Sequence, residues 1–135
     1  MGRYKRGEIW QVDFDPQIGS EISKLRPAIL FSVDAFNNLS EHHGLLIVTP
    51  GTSTRRENPR TGKVLKGVLE VTPSSLNGLK NTTYFLAGQV KSVSKVRLKE
   101  RVGVLEGHLR RLLSQELADI LGLFEDLGVI GRAHV

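Results

Sequence analysis

Only one stretch of this 135-residue chain, residues 107–121, spaces its apolar side chains as a long helix does. Leu109, Leu112, Leu113, Leu117, Ile120 and Leu121 recur at three- and four-residue steps and make one apolar stripe. Arg110, Arg111, Gln115, Glu116 and Asp119 lie largely opposite. Everything before this stretch breaks into short runs. In residues 8–14, Trp10, Val12 and Phe14 point one way while Gln11 and Asp13 point the other, which is a half-buried strand. Asp15-Pro16 breaks it, because proline cannot donate to a ladder. Residues 17–24 are polar, contain Gly19 and Ser20, and read as a loop. Residues 26–33 are a short apolar run that suggests a strand buried on both faces. Residues 45–48 repeat that pattern up to Pro50-Gly51. Residues 64–71, 83–93 and 96–105 read as further strands, the first an edge strand. Thr72-Pro73-Ser74-Ser75 resembles a helix cap that opens one short turn before Asn77-Gly78. Strands first and a helix last make the chain mostly β with helices (α+β), a small antiparallel barrel closed off by a C-terminal helix.

Composition fits one domain over residues 1–135: hydrophobic residues are 39% and charged residues 24%. No apolar run approaches the ~20 residues of a membrane-spanning helix. The basic start is followed by polar sequence where a signal peptide needs an apolar stretch, so a cytoplasmic protein is expected. The chain has no cysteine, which excludes disulfides, cysteine-ligated zinc, iron–sulfur clusters and thiol catalysis.

The charge is uneven. Arg55, Arg56, Arg60, Lys63 and Lys66 face one carboxylate, Glu57, within residues 51–66, so this stretch holds +4 of the chain's +5. A local basic concentration is the footprint of a polyanion binder, or a solvated loop kept soluble by its arginines.

Much chemistry is missing. His42 and His43 sit in a polar loop with only Glu41 beside them, and are expected to be solvated rather than metal-bound. There is no Walker loop and no clustered-glycine dinucleotide motif, so neither metal nor cofactor is expected. What remains are polar groups at strand ends. Arg26 opens a buried run, where a charge needs a partner or a ligand. Its planar fork suits a phosphate, but taken alone a salt bridge to Asp15, Glu21 or Asp34 is the commoner arrangement. Thr52 and Ser53 follow the second buried run, where their hydroxyls can bond a phosphate oxygen or cap the turn. Trp10, Tyr84 and Phe85 read as core rather than as base-stacking platforms.

Taken in order, these residues resemble the MazF/PemK family of toxin endoribonucleases. The resemblance rests on four blocks. The first is Lys5-Arg6-Gly7-Glu8-Ile9-Trp10-Gln11-Val12-Asp13-Phe14-Asp15-Pro16, and the second is Gly19-Ser20-Glu21 with Arg26-Pro27-Ala28-Ile29-Leu30. The third is Pro50-Gly51-Thr52-Ser53, and the fourth runs from Gln89 to Leu98 as Gln-Val-Lys-Ser-Val-Ser-Lys-Val-Arg-Leu. The resemblance implies an SH3-like barrel that pairs into a homodimer, cuts single-stranded RNA, chiefly mRNA, without metal, and is blocked by a cognate antitoxin. It places the catalytic arginine on Arg26 and the catalytic threonine on Thr52. Glu21, Ser53 and Gln89 fall where the family contacts RNA or supports the site, and Ser20 is grouped with them. Ser94 stands where the family usually carries an aspartate. Arg55, Arg56 and Arg60 lie in the one region with no clear match, and are expected to bind the RNA backbone through charge. Two other readings are a gyrase poison of the CcdB type and a plain RNA-binding barrel. The first needs a C-terminal tryptophan, whereas the only tryptophan here is Trp10.

Overall fold

A computed structural model describes residues 3–14 and 25–128. The expected loop at 17–24, with Ser20 and Glu21, and the tail after residue 128 lie outside the described residues.

The chain runs β1 (Glu8–Asp13), β2 (Leu25–Leu30), α1 (Asp34–Asn38), α2 (Ser40–His43), β3 (Leu45–Thr52), β4 (Val68–Val71) and β5 (Thr83–Leu86). It continues through β6 (Lys91–Ser94), β7 (Leu98–Val104), α3 (Gly107–Ile120) and α4 (Leu123–Asp126). All strand pairs are antiparallel. The order across the sheet is β4-β5-β3-β2-β1-β7, and β6 also pairs with β3.

The alternation read in β1 sets the two faces. Trp10 and Val12 pack with Ala28, Leu30, Leu46 and Val48 in one cluster, and Phe14 leans on it. Ile9 and Ile29 belong to the second cluster, with Val71, Phe85 and the α3 residues Leu113 and Leu117. Strand β2 is therefore apolar on both faces because each face meets its own layer.

The expected run 83–93 is two strands. β6 pairs with the first half of β3, from Leu45↔Ser94 to Val48↔Lys91, while β5 pairs with its end, at Gly51↔Phe85 and Thr52↔Tyr84. A 3-10 turn over Ala87–Gln89 switches the chain from one partner register to the other. The expected run 64–71 shortens to Val68–Val71, and Val64 makes an isolated bridge to Glu57.

The short turn expected after Thr72-Pro73-Ser74-Ser75 is present: the Gly78 N–H donates to the Ser74 carbonyl at 2.9 Å, and the Ser74 hydroxyl caps it by accepting from the Asn77 N–H at 3.1 Å. Asn77 is fully buried, and its side chain ties the turn together. Its Oδ1 accepts from the Ser74 and Leu79 N–H groups, both at 3.0 Å, and its Nδ2 donates to the Thr72 carbonyl at 2.9 Å.

The expected barrel is corrected as well. β4 and β7 end the sheet and do not pair with each other, so it does not close. At the β7 edge the turn before Gly78 stands where a strand would be: Val104 N–H donates to the Leu76 carbonyl at 3.0 Å. Helix α3 packs along the β4 end. The architecture is mixed α+β, a seven-stranded antiparallel sheet with a C-terminal helix.

Candidate active site

A cleft of about 480 Å³ opens at one end of the sheet. Glu100, Gln11 and Pro27 are successive cross-strand partners on β7, β1 and β2, and all three line it. Gly51 of β3 continues the lining, followed by Thr52 and Ser53. Gly51 has no room for a side chain, since a Cβ there would lie 2.7 Å from Thr83 Cγ2 and 2.8 Å from the Phe85 ring. The bare backbone lets β5 press close to the strand that carries Thr52.

The cleft brings together Arg26, Thr52 and Ser53, which come from two neighbouring strands. Arg26 pairs in register with Val12 at the start of β2 and is half-buried. Among the described residues it makes no ion pair. Asp34, one of the carboxylates weighed as its partner, accepts instead from the Arg6 backbone N–H at 2.7 Å. Asp15 and Glu21 lie outside the described residues. Thr52 is buried, and its Oγ1 accepts from Thr54 N–H at 3.1 Å. It therefore caps its turn, and its O–H keeps the capacity to donate to a ligand.

The basic stretch forms a small hairpin tied back on itself. Arg55 bonds Glu57 at 2.6 Å, Glu70 at 3.2 Å and the Gly62 carbonyl at 3.1 Å. The hydrogen bond to Glu57, then that to Tyr84, raises its pKa further above the ordinary arginine value. Its charge is matched by Glu57 within the hairpin and by Glu70 on β4. Arg56 and Arg60 are exposed, and their side chains have no partner among the described residues. None of these three arginines lines the cleft, nor does Gln89, which sits exposed in the Ala87–Gln89 turn. Trp10, Tyr84 and Phe85 are core, as their surroundings in the sequence suggest. His43 is not a merely solvated ring: it stacks on Phe36 and accepts from Leu45 N–H at 2.9 Å.

Lys80, Asn81, Glu100 and Arg101 also line the cleft, and sequence reasoning missed all four. The turn signal Asn77-Gly78 marked a loop but not where the loop lands. Glu100 and Arg101 arrive because β7 pairs with β1, a register that no local pattern displays.

Comparison with known proteins gives a consistent picture. The family model of PemK-like, MazF-like toxins of type II toxin–antitoxin systems matches residues 5–121. The chain is 33% identical over 118 residues to endoribonuclease MazF9 of Mycobacterium tuberculosis, covering 86% of this chain and 88% of that one. It superposes on the crystal structure of MazF from Deinococcus radiodurans with a TM-score of 0.67 at 24% identity, over 88% of this chain and 96% of that one. The MazE–MazF structure from the same organism gives 0.66 at 23% identity, over 88% and 96% of the respective chains.

Proposed function

The chain belongs to the family of PemK-like, MazF-like toxins of type II toxin–antitoxin systems, and from that premise we propose how this toxin endoribonuclease cuts RNA. The observation that carries the proposal is that Arg26 and Thr52, far apart in sequence, open onto one cleft.

RNA brings its own nucleophile. The 2′-hydroxyl next to the scissile phosphate attacks phosphorus, and the bond from phosphorus to the 5′ oxygen breaks. The proton lost from the 2′ oxygen is balanced by one gained at the 5′ oxygen. The products are a 2′,3′-cyclic phosphate and a 5′-hydroxyl, and the step needs no metal. The protein must hold the hydroxyl in line and stabilise the charge that builds on the phosphate oxygens. Arg26 meets that charge with a fork of N–H donors and assists the proton transfer. Thr52 donates its O–H to the scissile phosphate. Ser53 adds a second hydroxyl beside it. Ser20 and Glu21 support the bound strand, and Arg56 and Arg60, whose side chains are exposed and unpaired among the described residues, contribute positive potential, while Arg55 holds their hairpin in place.

The substrate is single-stranded RNA, because an attacking 2′-hydroxyl must swing in line, which a stacked duplex resists; mRNA as the chief target is what the family resemblance implies. The partners are a cognate antitoxin that covers the cleft and a second copy of the chain. The MazE–MazF structure from Deinococcus radiodurans supports the first. Exposed Leu121, Leu123 and Leu127, on and beside the last helices, support an apolar contact of some kind at that end. Among the described residues no helix is long and apolar enough to cross a membrane, in keeping with a cytoplasmic site of action.

The test is cleavage of a long single-stranded RNA in EDTA by wild type and Arg26→Ala side by side, with fragment ends mapped. Discrete cuts bearing cyclic-phosphate ends, from wild type alone, are expected. Cuts that vanish in EDTA, or that persist in Arg26→Ala, would sink the mechanism.

A further inference from the structure

We infer that Lys80 is a second phosphate-binding residue of the cleft, holding a backbone phosphate next to the one being cut. The inference rests on the reading of this cleft as the RNA site.

Three cationic side chains line the cleft: Arg26, Lys80 and Arg101. Arg101 is already matched. Its Nε donates to Glu8 Oε2 at 2.9 Å. That carboxylate is buried, and its other oxygen accepts from the Trp10 indole N–H and the Lys5 backbone N–H, both at 3.0 Å. Arg26 is assigned to the scissile phosphate. Lys80 is exposed and has no hydrogen bond or ion pair among the described residues. Glu100 also lines the cleft and forms no ion pair with it.

The backbone on both sides of Lys80 is held firmly. Leu79 is buried in the core, and its N–H donates to Asn77 Oδ1 at 3.0 Å. The Asn81 carbonyl accepts from the Thr83 hydroxyl at 2.9 Å. Gly78, at φ +68°, packs so closely on the Val102 carbonyl that a Cβ has no place there. A fixed backbone with a free ammonium on a long stem is an arrangement suited to a phosphate. An ammonium is a compact point charge, which holds a backbone without reading bases. A strand whose scissile phosphate meets Arg26 and Thr52 carries another phosphate on either side. Lys80 offers the unmatched charge in the same cleft, and it also offsets the repulsion that Glu100 exerts on the strand. Its contribution is to binding rather than to the chemical step.

The experiment uses the full chain and short RNAs spanning one cleavage site mapped with wild type. Each RNA carries a single neutral methylphosphonate in place of one phosphate flanking the scissile bond. Lys80→Ala should raise KM about tenfold with kcat little changed, and should reduce the salt slope of binding by about one. At one adjacent position the methylphosphonate should cost wild type about tenfold and cost Lys80→Ala nothing further. Lys80→Arg should restore most of the loss. A merely solubilising lysine gives no such coupling. Equal losses in both proteins at every position, or an unchanged KM in Lys80→Ala, overturns the inference. If wild type cuts no RNA at all, the reading of the cleft falls first and Lys80 loses its role with it.

Discussion

Arg26 is half-buried and meets no counter-charge among the described residues, so replacing it should disturb the fold little. Arg26→Ala is expected to change stability within about 0.5 kcal/mol while cutting kcat by ~100-fold or more. Thermal unfolding and single-turnover cleavage separate the two effects. Thr52 differs, because its hydroxyl also accepts from Thr54 N–H at 3.1 Å. Thr52→Val should therefore lose cleavage and about 1 kcal/mol of stability together, while Thr52→Ser keeps most of both. Glu106 carries the clearest dependence on pH. Burial works against its charge, but hydrogen bonds from Ser74, its own backbone N–H and Asn77 outweigh burial and hold its pKa below the ordinary value of 4.5. The unfolded chain thus takes up the proton first. Its stabilisation is whole above about pH 4.5 and fades as pH falls through the folded-state value. Glu106→Gln should lower Tm at neutral pH, and the gap from wild type should narrow in acid. A gap that widens in acid would refute the assignment. At this scale the sequence marked polar groups at strand ends and left open whether each meets a ligand or a neighbour. Arg26 before Pro27 and Thr52 after Gly51 stand out as polar groups beside apolar runs. Lys80 sits among ordinary loop residues, and nothing in its neighbourhood announces a cleft.

Among the elements, the contact between the turn before Gly78 and β7 decides the shape of the cleft. Gly78 faces the Val102 carbonyl, and Gly103 faces the Asn77 carbonyl, each with no room for a Cβ. Gly103→Ala must push these backbones apart and should cost about 1–3 kcal/mol. Cleavage should fall with it, because the segment that carries Lys80 moves, and Tm with activity measured on the same sample checks both. The strands and α3 were legible because alternation and helical spacing are local properties. The splitting of residues 83–93 was not, since it follows from β3 offering different partners along its two halves. The open edge between β4 and β7 was equally hidden, because closure depends on which backbone groups meet across the whole sheet.

For the whole molecule, electrostatics should govern RNA affinity, and binding should weaken steeply as salt rises. Arg56→Ala with Arg60→Ala should flatten that slope by about two if both side chains touch phosphates. Arg55→Ala should instead loosen the hairpin, given its bonds to Glu57, Glu70 and Gly62. A DNA strand of the same sequence should bind and remain intact, since it lacks the attacking hydroxyl. Sedimentation at micromolar concentration should show a dimer; a monomer removes the pairing from the proposal.

The pairing of β1 with β7 joins Glu8 to Arg101, 93 residues apart. While the chain is being translated, β1 therefore waits for most of the remaining sequence before its partner exists. The floor shared by Gln11 and Glu100 cannot form on a nascent chain that still ends before β7. The cleft is thus among the last parts of the molecule that can assemble as the strands leave the ribosome.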